Sequence, residues 1–580
     1  MKKILLITIL SLLFFSCENL DDGIKNSNSP NQFSQNFGQS VQRDFMGQVV
    51  DENNNPIESA IVKIGSNHVN TDSNGVFILY NVNVFEKFAY VSVEKMGYLL
   101  GSRSLVPTNG INKIKIMLIE KAPITTVNSG QTSEVNLPNG SKINFDGAFE
   151  DENGNSYSGS VSVFAYHLET SNSNISELMP GMLFAEAQDG SAKVLQTFGM
   201  LNVELAGASG EKLQIAEGHT AEISMKIDNT QLATASSTIP LWHFDEENGY
   251  WKEEGEATRQ GDYYIGNVSH FSWWNVDAYQ SMTTLNVTVV DGENNPIPNL
   301  GVTLTDQSGF ISSTLTTNQN GNVSGLIPTN NSLTLEISGA FNYQEQIGSF
   351  NSNSSITIVI SSASVNTFNF SGNVLDCDNN DFSNGYAVIA INNYVDYAPL
   401  VNGTFTSSYA TYQDTFNYSV YGVNFGNNEF STIVTGQADI NVSNTVSIND
   451  LVVCLNSNTI NLAGDFNLVV TRDDGNIYTF PNEIIQLVSP NNYKTTTTGS
   501  WAAGTIAQDQ GYNFSINNLN GIIVPNQGLC QGYYSNNIYG ENYNGTSSNG
   551  LIINNNEFYI QYTITFNTGP RIYTCHYIRN

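Results

Sequence analysis

Gly47-Gln48-Val49-Val50-Asp51, then Glu52-Asn53-Asn54-Asn55-Pro56, then Ile57-Glu58-Ser59-Ala60-Ile61-Val62-Lys63-Ile64 reads as strand, turn and strand. Ala60, Val62 and Ile64 alternate with polar neighbours, so they share one face. Asx residues and Pro form tight turns, because Asx side chains bond their own backbone and Pro presets φ. Thr71-Asp72-Ser73-Asn74-Gly75 is a second turn, followed by the apolar run Val76-Phe77-Ile78-Leu79. Ala89-Tyr90-Val91-Ser92-Val93 and Gly97-Tyr98 continue the series. Strand signals at this short, regular spacing predict a β-sandwich.

This segment resembles the carboxypeptidase regulatory-like domain, a transthyretin-like sandwich. The residues that carry the likeness are Gly47, Val49, Asp51, Pro56, Ala60, Val62, Thr71, Asp72, Gly75, Phe77, Gly97 and Tyr98. The resemblance implies a module that accompanies peptidases without supplying catalytic residues.

Working outward, the pattern recurs. Val287-Thr288-Val289-Val290-Asp291 leads to Asn294-Asn295-Pro296, and the spacing from Asp291 to Pro296 equals that from Asp51 to Pro56. Thr316-Thr317-Asn318-Gln319-Asn320-Gly321 matches the second turn, although Val323 stands where the first copy has an aromatic. Gly372-Asn373-Val374-Leu375-Asp376-Cys377 and Asn384-Gly385-Tyr386-Ala387-Val388-Ile389 suggest a third copy without the proline. Such self-similarity marks an internal repeat.

Between the first two copies lies a longer stretch whose end is aromatic. Trp242, Trp251, Trp273 and Trp274 fall here, four of the five tryptophans. This end resembles a module found beside regulatory-like sandwiches in the cartilage intermediate layer protein family. The tryptophans are candidates for a glycan-stacking platform or for core packing.

At the N-terminus, Met1-Lys2-Lys3 precedes the apolar run Ile4 to Phe15, which is too short to span a bilayer. Phe14-Phe15-Ser16-Cys17 resembles a relaxed lipobox of bacterial lipoproteins. That resemblance implies cleavage before Cys17 and acylation of Cys17. Glu18, Asp21 and Asp22 follow, which resembles the surface-export signal of some outer-membrane lipoproteins. Residues 24–42 are rich in Asn, Ser and Gln and predict a flexible tether with a reach of roughly 25–30 Å.

The expected organisation is all-β: signal peptide 1–16, acylated cysteine and tether 17–42, and a regulatory-like sandwich 43–120. A β-rich module with the Trp-rich end follows at 121–280. Sandwiches at 281–362 and 363–456 and a β-rich C-terminal domain at 457–580 complete the tandem of Ig-like or transthyretin-like units. Composition agrees with several domains, since single cores stop growing near 250–300 residues. The 580 residues carry 53 acidic and 21 basic side chains, a formal charge of −32, and 40% are hydrophobic. About 80 are asparagines, well above ordinary usage. So acidic a chain lacks the basic face that nucleic acid requires.

Five cysteines are present. With Cys17 assigned to lipid, Cys377–Cys454 and Cys530–Cys575 are the expected disulfides of an exported chain, each pair falling within one domain. For catalysis, His243 and Glu246 read as a His-x-x-Glu pair with His270 as the later ligand of a zinc peptidase. However, Glu246-Glu247-Asn248-Gly249 is a hairpin-turn signal, and no long helical periodicity supports a peptidase domain. No Gly-x-Ser-x-Gly elbow or phosphate loop occurs in the required setting. Calcium is a candidate cofactor at Asp376, Asp378 and Asp381 and at Asp473-Asp474-Gly475-Asn476, although turn chemistry explains the same residues. The expectation is therefore a non-enzymatic surface protein, lipid-anchored in the outer membrane and facing the exterior, with protein or glycan partners. A carbohydrate-binding accessory lipoprotein in nutrient capture is the alternative, and a zinc peptidase the remote one.

Overall fold

The computed structural model describes residues 32–580, apart from 361–364, 393, 427–428, 455–461, 490–491, 498–510, 517–521, 525–526, 529–531, 535–536, 540–543, 547–549, 555 and 567–568. The expected signal peptide, Cys17 and Cys530 lie outside the described residues. What is described is nearly all strand, and among these residues no helix is long and apolar enough to cross a membrane.

Three sandwiches share one topology. In the first, Ser40–Asp51 pairs antiparallel with Val76–Phe85 and parallel with Ile111–Leu118. In the next, Met282–Asp291 pairs antiparallel with Asn322–Pro328 and parallel with Ser354–Ile360. In the third, Asn366–Asp376 pairs antiparallel with Thr404–Thr411 and parallel with Thr445–Val453. A second sheet covers each: Asn67–Asn70, Ile61–Ile64, Ala89–Glu94 and Gly101–Leu105 in the first. There Ala60, Val62 and Ile64 are fully buried, as the alternation requires.

The repeated turn has one physical cause. The Asp51 carboxylate accepts N–H bonds from Asn53, Asn55 and the Asn55 side chain. Asp291 does the same for Glu293 and Asn295, and Asp376 for Asp378 and Asn380. Asn54, Asn294 and Asn379 take positive φ in these turns, a conformation Asn tolerates. The missing proline of the third copy is filled by Asp381, which bridges Leu375 as Pro56 bridges Val50 and Pro296 bridges Val290. Asp376 is thus held by its own turn. In the other calcium candidate, Asp474 is bound by Arg472 Nε at 2.8 Å. Both candidates therefore follow turn and ion-pair chemistry.

The substitution at Val323 is also explained. Gly47 faces Phe77 across the strands, and a Cβ at Gly47 would lie 2.6 Å from that ring. Gly372 faces Phe405 in the same way. In the middle copy Val287 faces Val323. Glycine plus phenylalanine and valine plus valine are two ways of filling similar space.

Residues 125–280 form a single 13-stranded sheet system with its own core, and residues 464–579 form a ten-stranded sheet. In the latter, Gly569–Arg579 lies between Gly464–Arg472 and Glu557–Phe566, and Cys575 points into the core. It is a free thiol, pushed up to about 12 by burial. The expected Cys530–Cys575 bond falls partly outside the described residues, because Cys530 is not among them; Cys575 itself lies on a central strand with its sulfur in the packed interior. Cys377 and Cys454 are joined, with Cα atoms 5.0 Å apart.

The expected tether ends early. Gln32–Phe37 forms a short 3-10 helix, and the first strand begins at Ser40. Phe33 is fully buried, 5.0 Å from Phe184 and 4.6 Å from Tyr250 between ring centroids. Phe37 stacks on Phe88 at 4.5 Å. Two aromatic side chains four residues apart, their ring centroids 5.6 Å from each other, therefore pin the segment against the first and second units.

The units are not a loose string. Arg103 is buried and donates from Nη1 to Ser313 Oγ at 3.0 Å and from Nη2 to Glu177 O at 2.7 Å, joining three units. Lys113 Nζ meets both Asp396 oxygens at 2.6 and 2.7 Å and Asn299 Oδ1 at 2.9 Å. Tyr386 donates to Asp72 Oδ2, while the Asn74 amide donates to Tyr386 at 2.7 Å.

Burial pushes the Asp72 carboxyl up to about 6, against the lowering effect of the Tyr386 hydrogen bond. A carboxyl with a raised folded-state pKa favours folding while it is protonated. Its contribution is complete below the ordinary carboxylate range and is lost as pH rises from about 4 to about 6. Asp72→Asn should therefore flatten the fall in melting temperature over that interval, removing about 2–3 kcal/mol of pH-dependent stability. Thermal melts of both proteins across the interval check this, and identical slopes would refute it.

Candidate functional site

The aromatic end of the second unit is built from three adjoining strands. Thr238–Asp245 pairs antiparallel with Tyr250–Gln260 on one side and with Trp273–Gln280 on the other. The connecting hairpin turn is fixed by Asp245, whose carboxylate accepts from Glu247 N, Asn248 N and the Asn248 amide. Gly249 closes it at φ 80°, where a side chain would also strike the Tyr90 ring. Two contacts from the first unit hold this turn: Tyr90 donates to Glu246 O at 2.8 Å, and Ser104 donates to Gly249 O at 2.6 Å.

The four tryptophans lie inside. Trp242, Trp251 and Trp274 have no exposed surface and Trp273 has 2%. Trp242 donates Nε1–H to Asp277 O at 3.1 Å, and Trp274 donates to His270 O at 3.0 Å. The glycan-stacking candidates Trp242, Trp251, Trp273 and Trp274 are corrected on this ground, since a sugar needs an open ring face. Trp242, Trp251 and Trp273 pack where the second unit meets its neighbours, while Trp274 lies in the second unit's own core. Beneath them Asp277 is wholly buried, and burial drives its carboxyl well above the ordinary range.

His243 stands opposite Lys252 and Trp274 in the ladders, on the strand face away from Phe244. The His-x-x-Glu reading is corrected here. Glu246 belongs to the turn, while the carboxylate that meets His243 is Glu254. Glu254 Oε2 is 3.5 Å from His243 Nε2 and 3.2 Å from His270 Nε2. The ligand atoms of all three side chains lie within 4.8 Å of one another. The imidazoles meet edge to face, with centroids 4.8 Å apart and planes at 87°. His243 is 19% exposed, His270 35% and Glu254 42%, so the cluster opens to solvent on one side.

Burial, followed by the neighbouring His270, drives the His243 imidazole down to about 4. It is neutral at pH 7 and has a lone pair to offer. Burial tends to raise Glu254, but hydrogen bonds from Ser269 and His270 and the charge of His270 outweigh it and hold the carboxyl below its usual range. Sequence reasoning named His243 and His270 and missed Glu254. The signal was in the hairpin register: with His243 opposite Lys252, Glu254 is the same-face diagonal neighbour.

No family model matches the chain. Cartilage intermediate layer protein 1 of Homo sapiens is 25% identical over 227 residues, which cover 35% of this chain and 18% of that protein. The chain thus spans less than a fifth of the relative it matches. Among solved structures, the shaft pilin SpaA of Lactobacillus rhamnosus GG is 9% identical with a TM-score of 0.16, over 30% of this chain and 97% of that one. The major pilin subunit BcpA of Bacillus cereus is 12% identical with a TM-score of 0.12, over 56% and 99%. Scores of that size carry no argument about activity.

Proposed function

We propose that this is a non-enzymatic, lipid-anchored cell-surface protein with a structural or adhesive role toward protein or glycan partners. The observation that carries this reading is the packing of repeated sandwiches into one block. Arg103, the Lys113–Asp396 pair and the Tyr386–Asp72 contact join units far apart in sequence. A chain that spends buried polar groups on fixing its units together presents a shaped surface rather than a set of independent modules. The sequence around Cys17 supports an acyl anchor, and removal of Lys2 and Lys3 with the signal takes the formal charge from −32 to −34. That charge favours solubility at an anionic outer surface.

The test is made in cells that express the full chain. The wild type should partition into the detergent phase of Triton X-114, and Cys17→Ala should move to the aqueous phase. Proteolysis of intact cells should remove the protein. Equal partitioning of both chains would refute the anchor, and full protection from protease would refute the exterior orientation.

A further inference from the structure

We propose that His243, Glu254 and His270 form a binding site for a divalent transition-metal ion of the zinc class. Two imidazole nitrogens and one carboxylate oxygen are the donor set that suits such an ion, whereas calcium and magnesium call for oxygens alone. Zinc bound at 2.0–2.2 Å in a tetrahedron requires ligand atoms about 3.3–3.5 Å apart. The two edges that run from Glu254 Oε2, at 3.5 and 3.2 Å, match that length. Both imidazoles turn Nε2 toward the same oxygen, the convergence a shared central ion would produce.

The donors are also held in place. His243 and Glu254 sit on paired strands. Trp274 donates to the His270 carbonyl at 3.0 Å, and Ser269 Oγ donates to Glu254 Oε1 at 3.0 Å, while Oε2 is the oxygen that faces the two imidazoles. Such outer contacts orient metal ligands and tune their affinity. Three protein donors and an open side leave a fourth position for water or for a donor from another molecule. The site is independent of the lipid anchor and of the adhesive reading.

The full chain, stripped with chelator, is titrated with zinc alone and in parallel with cobalt(II). One high-affinity ion per chain is expected, and cobalt should give the intense visible absorption of tetrahedral nitrogen and oxygen ligation. His243→Gln, Glu254→Gln and His270→Gln should each weaken zinc binding tenfold or more and abolish that absorption. Near-ultraviolet circular dichroism of the buried tryptophans reports folding. Should the half-buried His243 variant unfold, the more exposed Glu254 and His270 variants decide the matter. Zinc stoichiometry, affinity and cobalt spectra that are the same in the wild type and in the folded variants would overturn the proposal.

Discussion

Replacing Cys377 and Cys454 together by alanine should cost the 366–453 sandwich about 4–5 kcal/mol. The bond closes a loop with a sequence separation of 77. Cross-linking a loop of that length removes denatured-chain entropy worth about 4.5 kcal/mol. The two sulfurs follow directly on the last paired residues of the parallel ladder, Asp376 and Val453, so the bridge extends a contact the sheet already makes. Amide exchange in Gly385–Ile391, at the centre of the same unit, reads the change locally. Protection there should fall by roughly three orders of magnitude, because 1.4 kcal/mol is a factor of ten. Unchanged exchange in this strand would show that packing alone holds the unit.

The second large effect is expected at the contact of three units. Lys113 and Asp396 are 18% and 7% exposed, and Tyr409 also donates to Asp396 at 2.7 Å. Lys113→Met leaves that carboxylate buried without its cation. Breaking a buried pair from one side costs about 3–5 kcal/mol, more than the pair itself contributes. Combining Lys113→Met with Asp396→Leu should therefore recover most of the loss. Denaturant unfolding of the two single variants and the double variant gives the coupling directly. Additive losses would mean that the two groups do not depend on each other.

Much of this architecture can be read along the chain because its cause is local. An Asp that caps its own turn, followed by Asn at positive φ, needs only five consecutive residues. The three turns at Asp51, Asp291 and Asp376 therefore carry the repeat through loss of proline and exchange of Phe77 for Val323. A related cap, where Asp151 accepts from Asn153 and Asn155 and Gly154 takes the positive φ, lies outside any repeated strand pattern. Non-local features were less legible. Glu254 reaches the histidines through cross-strand register, which no linear spacing displays. Trp273 and Trp274, consecutive on one strand, enter different cores, and the neighbouring units that close over Trp242, Trp251 and Trp273 are not visible in any local pattern. Phe33 and Phe37 were hidden by their polar surroundings, although two aromatics four residues apart in an Asn-rich segment were a signal.

The parallel pairing of first and last strands in each repeat has a mechanical consequence. Tension along the chain enters at the start of the first strand and leaves from the end of the last. Because those strands run parallel, the pull acts along the ladder and loads all its hydrogen bonds in shear, instead of unzipping them one after another. Seven or eight paired positions share the force in each unit. In the 366–453 unit the load bypasses the fold altogether, passing through the first strand and across the sulfur bridge. The 77-residue separation between the cysteines then cannot be paid out, and roughly 250–280 Å of contour is withheld from a stretched chain. Under force that unit would act as a short, fixed link between extensible neighbours.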